Sequence, residues 1–375
     1  MKIGIVGGGP GGLYFALLMK KENPDHHIVI YEQNPAGATY GWGVVFSGRA
    51  LSFLEDRDSA SYADINNSLA VWDELHIGHR GEIVPIDGSK FSGISRLELL
   101  QILQRHCLQQ GVEIHFEARL ENLDVFADCD LIVGADGANS VVRQLYQAHF
   151  QPTETFLTNK YIWYGTHQLF PALSLIWRES VHGSFVTHTY PYSKTTSTFI
   201  VECEADTWER AGFTEMTDEE IRAYCEAVFQ VELGGHPLLT NKSNWLNFKV
   251  VQNKHWIHNN IILIGDALRT VHFSIGSGTR TALEDAIALF EACKAHDSDV
   301  AAALSAFEAN RRPSSDSLLD VAGRSIDWYE NYSDILHLTP LDFAYNYMTR
   351  GGRVDHEKLK VRAPKFTAAY EAQRS

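Results

Sequence analysis

Lys2-Ile3-Gly4-Ile5-Val6-Gly7-Gly8-Gly9-Pro10-Gly11-Gly12 opens the chain, and its reading decides the fold. An apolar run of strand character enters a glycine turn that satisfies GxGxxG through Gly7, Gly9 and Gly12. A helical stretch follows (Leu13, Ala16, Leu17, Met19, Lys20), then the strand His27-Ile28-Val29-Ile30-Tyr31, which closes on Glu32 and Gln33. Each glycine has a physical task. Gly7 permits the tight turn, Gly9 lets backbone N–H groups approach a pyrophosphate, and Gly12 lets helix and strand pack closely. Pro10 and Gly11 begin the helix, whose free N–H groups and positive dipole end suit a diphosphate. Glu32 lies 20 residues after Gly12, where such folds place a carboxylate for an adenosine ribose. Strand, turn, helix, strand and acid in that order predict a dinucleotide site.

Two later segments bear on which dinucleotide. Asp130-Leu131-Ile132-Val133-Gly134-Ala135-Asp136-Gly137 reads as a buried strand that delivers an aspartate and a glycine, with a helix after Ser140. Ile261-Ile262-Leu263-Ile264-Gly265-Asp266-Ala267 is a second such strand. It runs through Gly276-Ser277-Gly278-Thr279 into a helix with Ala282, Ala286, Leu289 and Cys293 on one face. Asp266 would accept from ribityl hydroxyls, and the glycine loop would offer N–H groups to the electron-rich pyrimidine edge of an isoalloxazine. An NAD dehydrogenase needs neither segment, so FAD is the expected cofactor.

Composition narrows the class. A chain of 375 residues suits two packed domains. Its formal net charge of −15 argues against nucleic acid, whose phosphates repel an acidic surface. No apolar run long enough for a membrane span occurs. The apolar start is too rich in glycine for a signal peptide and lacks a small-residue cleavage site. Five scattered cysteines without a CxxC pair read as buried thiols in a reducing, cytoplasmic setting.

The expected fold class is α/β (α+β): a Rossmann-like FAD-binding domain interleaved with an antiparallel sheet domain, and a helical C-terminus. The FAD-binding segments are 1–70, 96–155 and 255–330, the substrate segments 71–95 and 156–254, and the tail 331–375. Residues 157–203 are rich in β-branched and aromatic types with alternation, which predicts an antiparallel sheet with one face buried. His188 and Tyr190 are two apart on one strand and so share a face with Val186. Thr217-Asp218-Glu219-Glu220 predicts the capped, acidic start of a helix from Asp218 to Phe229. Arg96 opens a helix with the stripe Leu100, Leu103 and Cys107.

The GxGxxG turn, the DG segment and the GD segment, in this order, resemble the flavoprotein aromatic hydroxylases typified by p-hydroxybenzoate hydroxylase. Gly41-Trp42-Gly43-Val44-Val45-Phe46-Ser47, Asn159-Lys160-Tyr161-Ile162-Trp163-Tyr164-Gly165-Thr166, Ser197-Thr198-Phe199-Ile200-Val201-Glu202-Cys203 and His272-Phe273-Ser274-Ile275-Gly276 narrow the likeness. They are similar to the hydroxylase half of salicyloyl-CoA 5-hydroxylase and 2-aminobenzoyl-CoA monooxygenase, and to the violacein-pathway indole hydroxylases. The broad family usually has proline after its GDA segment; Phe273-Ser274 here matches the narrower group. Halogenase (WxWxIP) and polyprenyl reductase (PxxYxWxFP) segments are absent. The two-domain members of the group carry a second catalytic half, with no counterpart expected in this sequence.

That resemblance implies a monooxygenase in which NADH or NADPH reduces the flavin, O2 gives a flavin hydroperoxide, and an aromatic ring is hydroxylated. It places Arg96 against the FAD pyrophosphate. A base near the ring would assist, which makes His188, Tyr190 and His272 the catalytic candidates. Tyr161, Trp163, Tyr164 and Trp177 are candidate walls of the ring pocket, and Arg49 a candidate for nicotinamide exchange. Arg350, Arg353, Lys358, Lys360, Arg362 and Lys365 make a basic tail that reads either as a solvated end balancing local acids or as a surface suited to the phosphates of an aryl-CoA thioester. A tryptophan-derived indole is the alternative substrate, and a non-catalytic flavin sensor the alternative of another class. A monomer or homodimer is expected.

Overall fold

The computed structural model describes residues 1–47, 51–297 and 299–374. Its first layer is a sheet of six strands. Lys2–Val6 lies at the centre, paired in parallel with His27–Tyr31 on one side and Leu131–Gly134 on the other. Ile261–Leu263 extends it in parallel beyond Leu131–Gly134, and Glu113–His115 beyond His27–Tyr31. The strands are near-continuous apolar runs because helices cover the sheet: Ile3, Ile5, Ile30, Leu131, Val133, Ile262 and Leu263 join one core with Leu13, Leu17, Leu103 and Leu289. Since the strands run the same way, Gly7, Glu32, Asp136 and Asp266 all emerge at their carboxyl ends. That edge is where open α/β sheets bind ligands.

The second layer is a large mixed sheet. Pro152–Thr166, Ser197–Cys203, Gly183–Pro191 and Leu173–Ser180 pair antiparallel in that order. Leu75–His79 joins Leu173–Ser180 in parallel, Glu82–Ile86 follows it, and Leu246–Asn253 pairs with Pro152–Thr166. Both faces are covered, not one as the alternation suggested. Ile162, Tyr164, Phe185, Phe199 and Val201 pack beneath the helices Ala205–Arg210 and Asp218–Val228. Leu175, Trp177 and Val186 pack beneath Tyr329, Phe343 and Tyr347 of the C-terminal helices. The alternation therefore marks two different cores rather than core and solvent.

A small third sheet, Gly43–Ser47 with Phe91–Ser95 and Ala70–Trp72, bridges the layers, so segments 71–95 divide between two sheets. The helix Asp218–Val228 carries a full capping box between Thr217 and Glu220. The long helix Val300–Glu330 leads into Pro340–Thr349, His356–Arg362 and Pro364–Ala372, which make the tail helical. All five cysteines are free and buried. Among the described residues no helix is long and apolar enough to cross a membrane.

Candidate active site

A cavity of about 640 Å³ runs between the parallel sheet, the large sheet and the tail. Its floor is the glycine turn. The helix Pro10–Glu22 begins at Gly9 with no side-chain cap and no acid in its first turn, so its leading N–H groups face the cavity without a protein partner side chain. A Cβ on Gly9 would find nothing nearer than Ala135 O at 3.7 Å. Protein packing therefore leaves that position open, as a closely approaching diphosphate requires. Gly7 and Gly12 lie outside the cavity and serve the backbone instead. Gly7 has φ +101°, and a Cβ on Gly12 would stand 2.5 Å from Gly7 O.

The remaining cofactor candidates divide in the same way. Pro10, Gly11, Arg96, Gly137, Asp266, Gly276, Ser277, Gly278 and Thr279 line the cavity. Arg96 is half-buried at the start of its helix, and its guanidinium pairs with no carboxylate among the described residues. Burial lowers its affinity for the proton, while Asp266 and Glu32 oppose this. An unpartnered guanidinium beside an uncapped helix start is the donor set a pyrophosphate needs. Asp266 opens onto the cavity; its enclosure raises the carboxyl above the usual range, with Arg96 and Arg269 opposing. The helix Gly278–His296 also starts without a side-chain cap or an acid in its first turn.

Glu32 sits outside the cavity at the end of its strand, accepting from Gly8 N at 2.7 Å and from Asn34 N at 2.8 Å. That holds its carboxylate at the rim of the glycine turn. Gln33 is exposed and makes no side-chain hydrogen bond among the described residues. Asp136 accepts from Val141 N at 2.6 Å at the start of the next helix, while its other oxygen is buried without a partner among the described residues. Arg49 lies outside the described residues.

Behind the flavin-type loop stands a charge cluster that sequence reading did not single out. Asp285, fully buried on the helix Gly278–His296, accepts Gly265 N at 2.9 Å, both ends of Arg269 at 2.7 and 2.8 Å, and Arg311 Nε at 2.8 Å. These cations hold its carboxyl below the usual range despite burial. Arg143, also buried, donates to Ala138 O and to Ala267 O at 3.0 Å, clasping the two aspartate loops together. An aspartate within an otherwise apolar helix face was the available signal.

The catalytic candidates occupy different places. His188 and Tyr190 both line the cavity with Val45, Tyr161, Trp163, Ile200 and Phe273. The Tyr190 hydroxyl donates to Gly43 O at 2.8 Å, and burial raises it strongly, so it is committed to structure. His272 lies behind the wall, not on it. Its Nδ1 accepts from Ser274 N at 3.3 Å and meets Ser274 Oγ at 2.8 Å, and burial pushes the imidazole down to about 4. Tyr164 and Trp177 belong to the two cores, leaving Tyr161 and Trp163 as the aromatic wall.

The tail meets this cavity through three arginines. Arg350 donates to Ser325 Oγ at 3.0 Å and Ser274 O at 3.1 Å and lies 3.7 Å over the Tyr347 ring. Arg353 and Arg362 are exposed yet line the cavity, which places them at its mouth; they bond Ser317 and Ser89 and no carboxylate among the described residues. Lys358 and Lys360 instead pair with Asp355 and Glu371, so the basic tail expected to act as a unit divides into paired lysines and unpaired arginines.

Comparison with known proteins agrees with this geometry. Residues 109–322 match the family described as FAD binding domain. Salicyloyl-CoA 5-hydroxylase from a Streptomyces species is 36% identical over 96% of this chain and 72% of its own length. Protodeoxyviolaceinate monooxygenase from Chromobacterium violaceum is 36% identical over 93% of this chain and 94% of its own. The tetrameric form of 2-methyl-3-hydroxypyridine-5-carboxylic acid oxygenase superposes with a TM-score of 0.72, covering 96% of this chain and 95% of that one at 17% identity.

Proposed function

The chain belongs to the FAD binding domain family and is a flavin-dependent aromatic monooxygenase, and from that premise we propose that its substrate is an aryl thioester of the coenzyme A type, hydroxylated at the expense of NADH or NADPH and O2. Bound FAD supplies the electron transfer and oxygen activation. The protein's residues bind and orient. The helix start at Gly9 and the Arg96 guanidinium would take the diphosphate, and Asp266 would accept from the ribityl chain. Tyr161, Trp163 and Phe273 make an aromatic, flat-sided wall for a ring.

The observation that carries the thioester reading is the pair Arg353 and Arg362. Both are cations without a carboxylate partner among the described residues, at the mouth of the ring cavity, in a chain with a net charge of −15. Guanidinium groups bind phosphate through paired N–H donors. A coenzyme A phosphate outside the mouth would meet them while its acyl ring reached the flavin. The salicyloyl-CoA relative supports the same class. A tryptophan-derived indole is the second reading, favoured by the protodeoxyviolaceinate relative.

The test is anaerobic flavin reduction by NADH and by NADPH with salicyloyl-CoA, 2-aminobenzoyl-CoA, their free acids and indoles. Acceleration and ring hydroxylation by a thioester but not by its free acid is the expected result. Turnover of the indole alone would replace the thioester reading.

A further inference from the structure

Glu202 stands alone as an acid in the apolar run Thr198-Phe199-Ile200-Val201-Glu202-Cys203, and it is 1% exposed. A carboxylate buried in a sheet is unfavourable unless its oxygens are matched by donors. Here both are. Oε1 accepts from Asn159 Nδ2 at 3.1 Å, and that amide is itself fixed to Tyr329 O at 2.8 Å. Oε2 lies 2.9 Å from His188 Nε2. A carboxylate only accepts, so Nε2 carries the hydrogen and the lone pair of the neutral ring is on Nδ1. Nδ1 has no partner among the described residues, and His188 is part of the cavity wall. The ring is also prevented from turning. Tyr329 stacks on it at 5.3 Å and 28°, and Phe273 meets it edge-on at 5.3 Å.

We infer that His188 is the base that takes the proton from the ring hydroxyl or amine of the aromatic substrate through Nδ1, and that Glu202 is the positioning residue that fixes this tautomer. The assignment rests on the aromatic-hydroxylase reading and deepens it. In the step, the substrate O–H or N–H bond breaks, an N–H bond forms at His188 Nδ1, and the electron pair stays on the substrate, whose ring becomes more electron-rich. The imidazolium then pairs with Glu202, and no redox partner is consumed.

The other groups around the ring do not compete for this task. Tyr190 is committed to Gly43 O, and burial pushes the Tyr161 hydroxyl up to about 12. His272 is off the cavity wall and stays neutral down to about pH 4. Tyr329 is held far above its usual range by burial, and Arg350 lies 5.9 Å over its ring. Among the described residues these, with Glu202, stand nearest His188 from the neighbouring strand, the flavin loop, the long helix and the tail, while Tyr347, Asp266 and Arg96 line the same cavity.

The experiment compares FAD-loaded wild type, Glu202→Gln and His188→Gln, with salicyloyl-CoA as the probe. Phenolate absorbance of the bound probe and kcat are followed against pH, with FAD occupancy and thermal unfolding as fold controls. In the wild type the bound phenol should ionise at lower pH than the free thioester. Each variant should keep FAD, shift that ionisation to higher pH and lose about 10²- to 10⁴-fold in kcat with little change in KM. The double variant should be no worse than either single one. An unchanged phenolate titration and kcat profile in the two variants would overturn the assignment. If Glu202→Gln does not fold, His188→Gln decides by the same readings. Hydroxylation by the wild type with unaffected variants removes this assignment alone, whereas a wild type that hydroxylates no aromatic removes both it and the reading beneath it.

Discussion

Gly9→Ala separates the cofactor's demand on the glycine turn from the fold's own. Gly9 has φ −76° and ψ 175°, values alanine adopts without strain, and the added Cβ would lie 3.7 Å from its nearest protein atom. With no clash and less freedom in the unfolded chain, the apoprotein should be unchanged or gain about 0.4–1 kcal/mol. FAD binding should behave oppositely. A methyl group in the path of the diphosphate would displace it from the N–H groups at the helix start. Each charge-assisted bond is worth about 1.5–3 kcal/mol, so losing two would weaken FAD by about 3–6 kcal/mol, or roughly 10²- to 10⁴-fold in Kd. Gly7→Ala and Gly12→Ala are the controls. Their Cβ atoms would stand 2.4 Å from Ala135 O and 2.5 Å from Gly7 O, so the fold itself should fail. The assay is FAD titration by flavin fluorescence, with thermal unfolding measured with and without FAD. Added FAD should raise the wild-type midpoint and leave that of Gly9→Ala unmoved. A Gly9→Ala protein that binds FAD with wild-type affinity, or whose apo form is destabilised like the controls, would refute the reasoning.

Glu32→Gln should weaken FAD by about 1–2 kcal/mol, read in the same titration, as a charge-assisted bond becomes a neutral one. Arg353→Ala combined with Arg362→Ala should raise KM for a coenzyme A thioester several-fold while leaving kcat intact, and Lys358→Ala with Lys360→Ala should do neither; steady-state kinetics at low and high salt would show it. His272 is held neutral, with its folded value near 4 against a usual 6.5. Stability present above pH 6.5 should therefore decline as pH falls towards 4, by up to about 3 kcal/mol, and His272→Asn should flatten that acid-side loss in urea unfolding. Asp285→Ala would leave Arg269 and Arg311 buried without their shared carboxylate and should destabilise by about 3–5 kcal/mol, measured by thermal or urea unfolding.

The elements of the candidate cofactor site were legible because they are local. A glycine turn, a strand end and a helix start are contiguous in sequence, and the chemistry of each follows from its own few residues. The same locality explains the successful capping prediction at Thr217 and Glu220. The Asp285 cluster was not legible, because Arg269 comes from the loop after Ala267 and Arg311 from another helix, and they meet Asp285 only in the folded packing. The tail shows a similar limit: Lys360 and Arg362 read alike, yet one faces Glu371 and the other the cavity.

The His188–Glu202 pair shows why residue type was readable and role was not. The two strands that carry them pair with His188 opposite Ile200 and Val186 opposite Glu202, so the pair meets on a diagonal. That register depends on the turn between Pro191 and Ser197. One residue more in the turn would shift every pairing and move Glu202 to the face where Phe199 and Val201 pack under the helices. Alternation places His188, Tyr190 and Glu202 on a common face once the register is known, but it does not say which core that face meets. Here the face passes from the aromatic packing around Val186 to the open cavity at His188 within one residue pair. A histidine one pair earlier, in place of Val186, would lie in the core shared with Trp177 and Tyr332 and off the cavity wall.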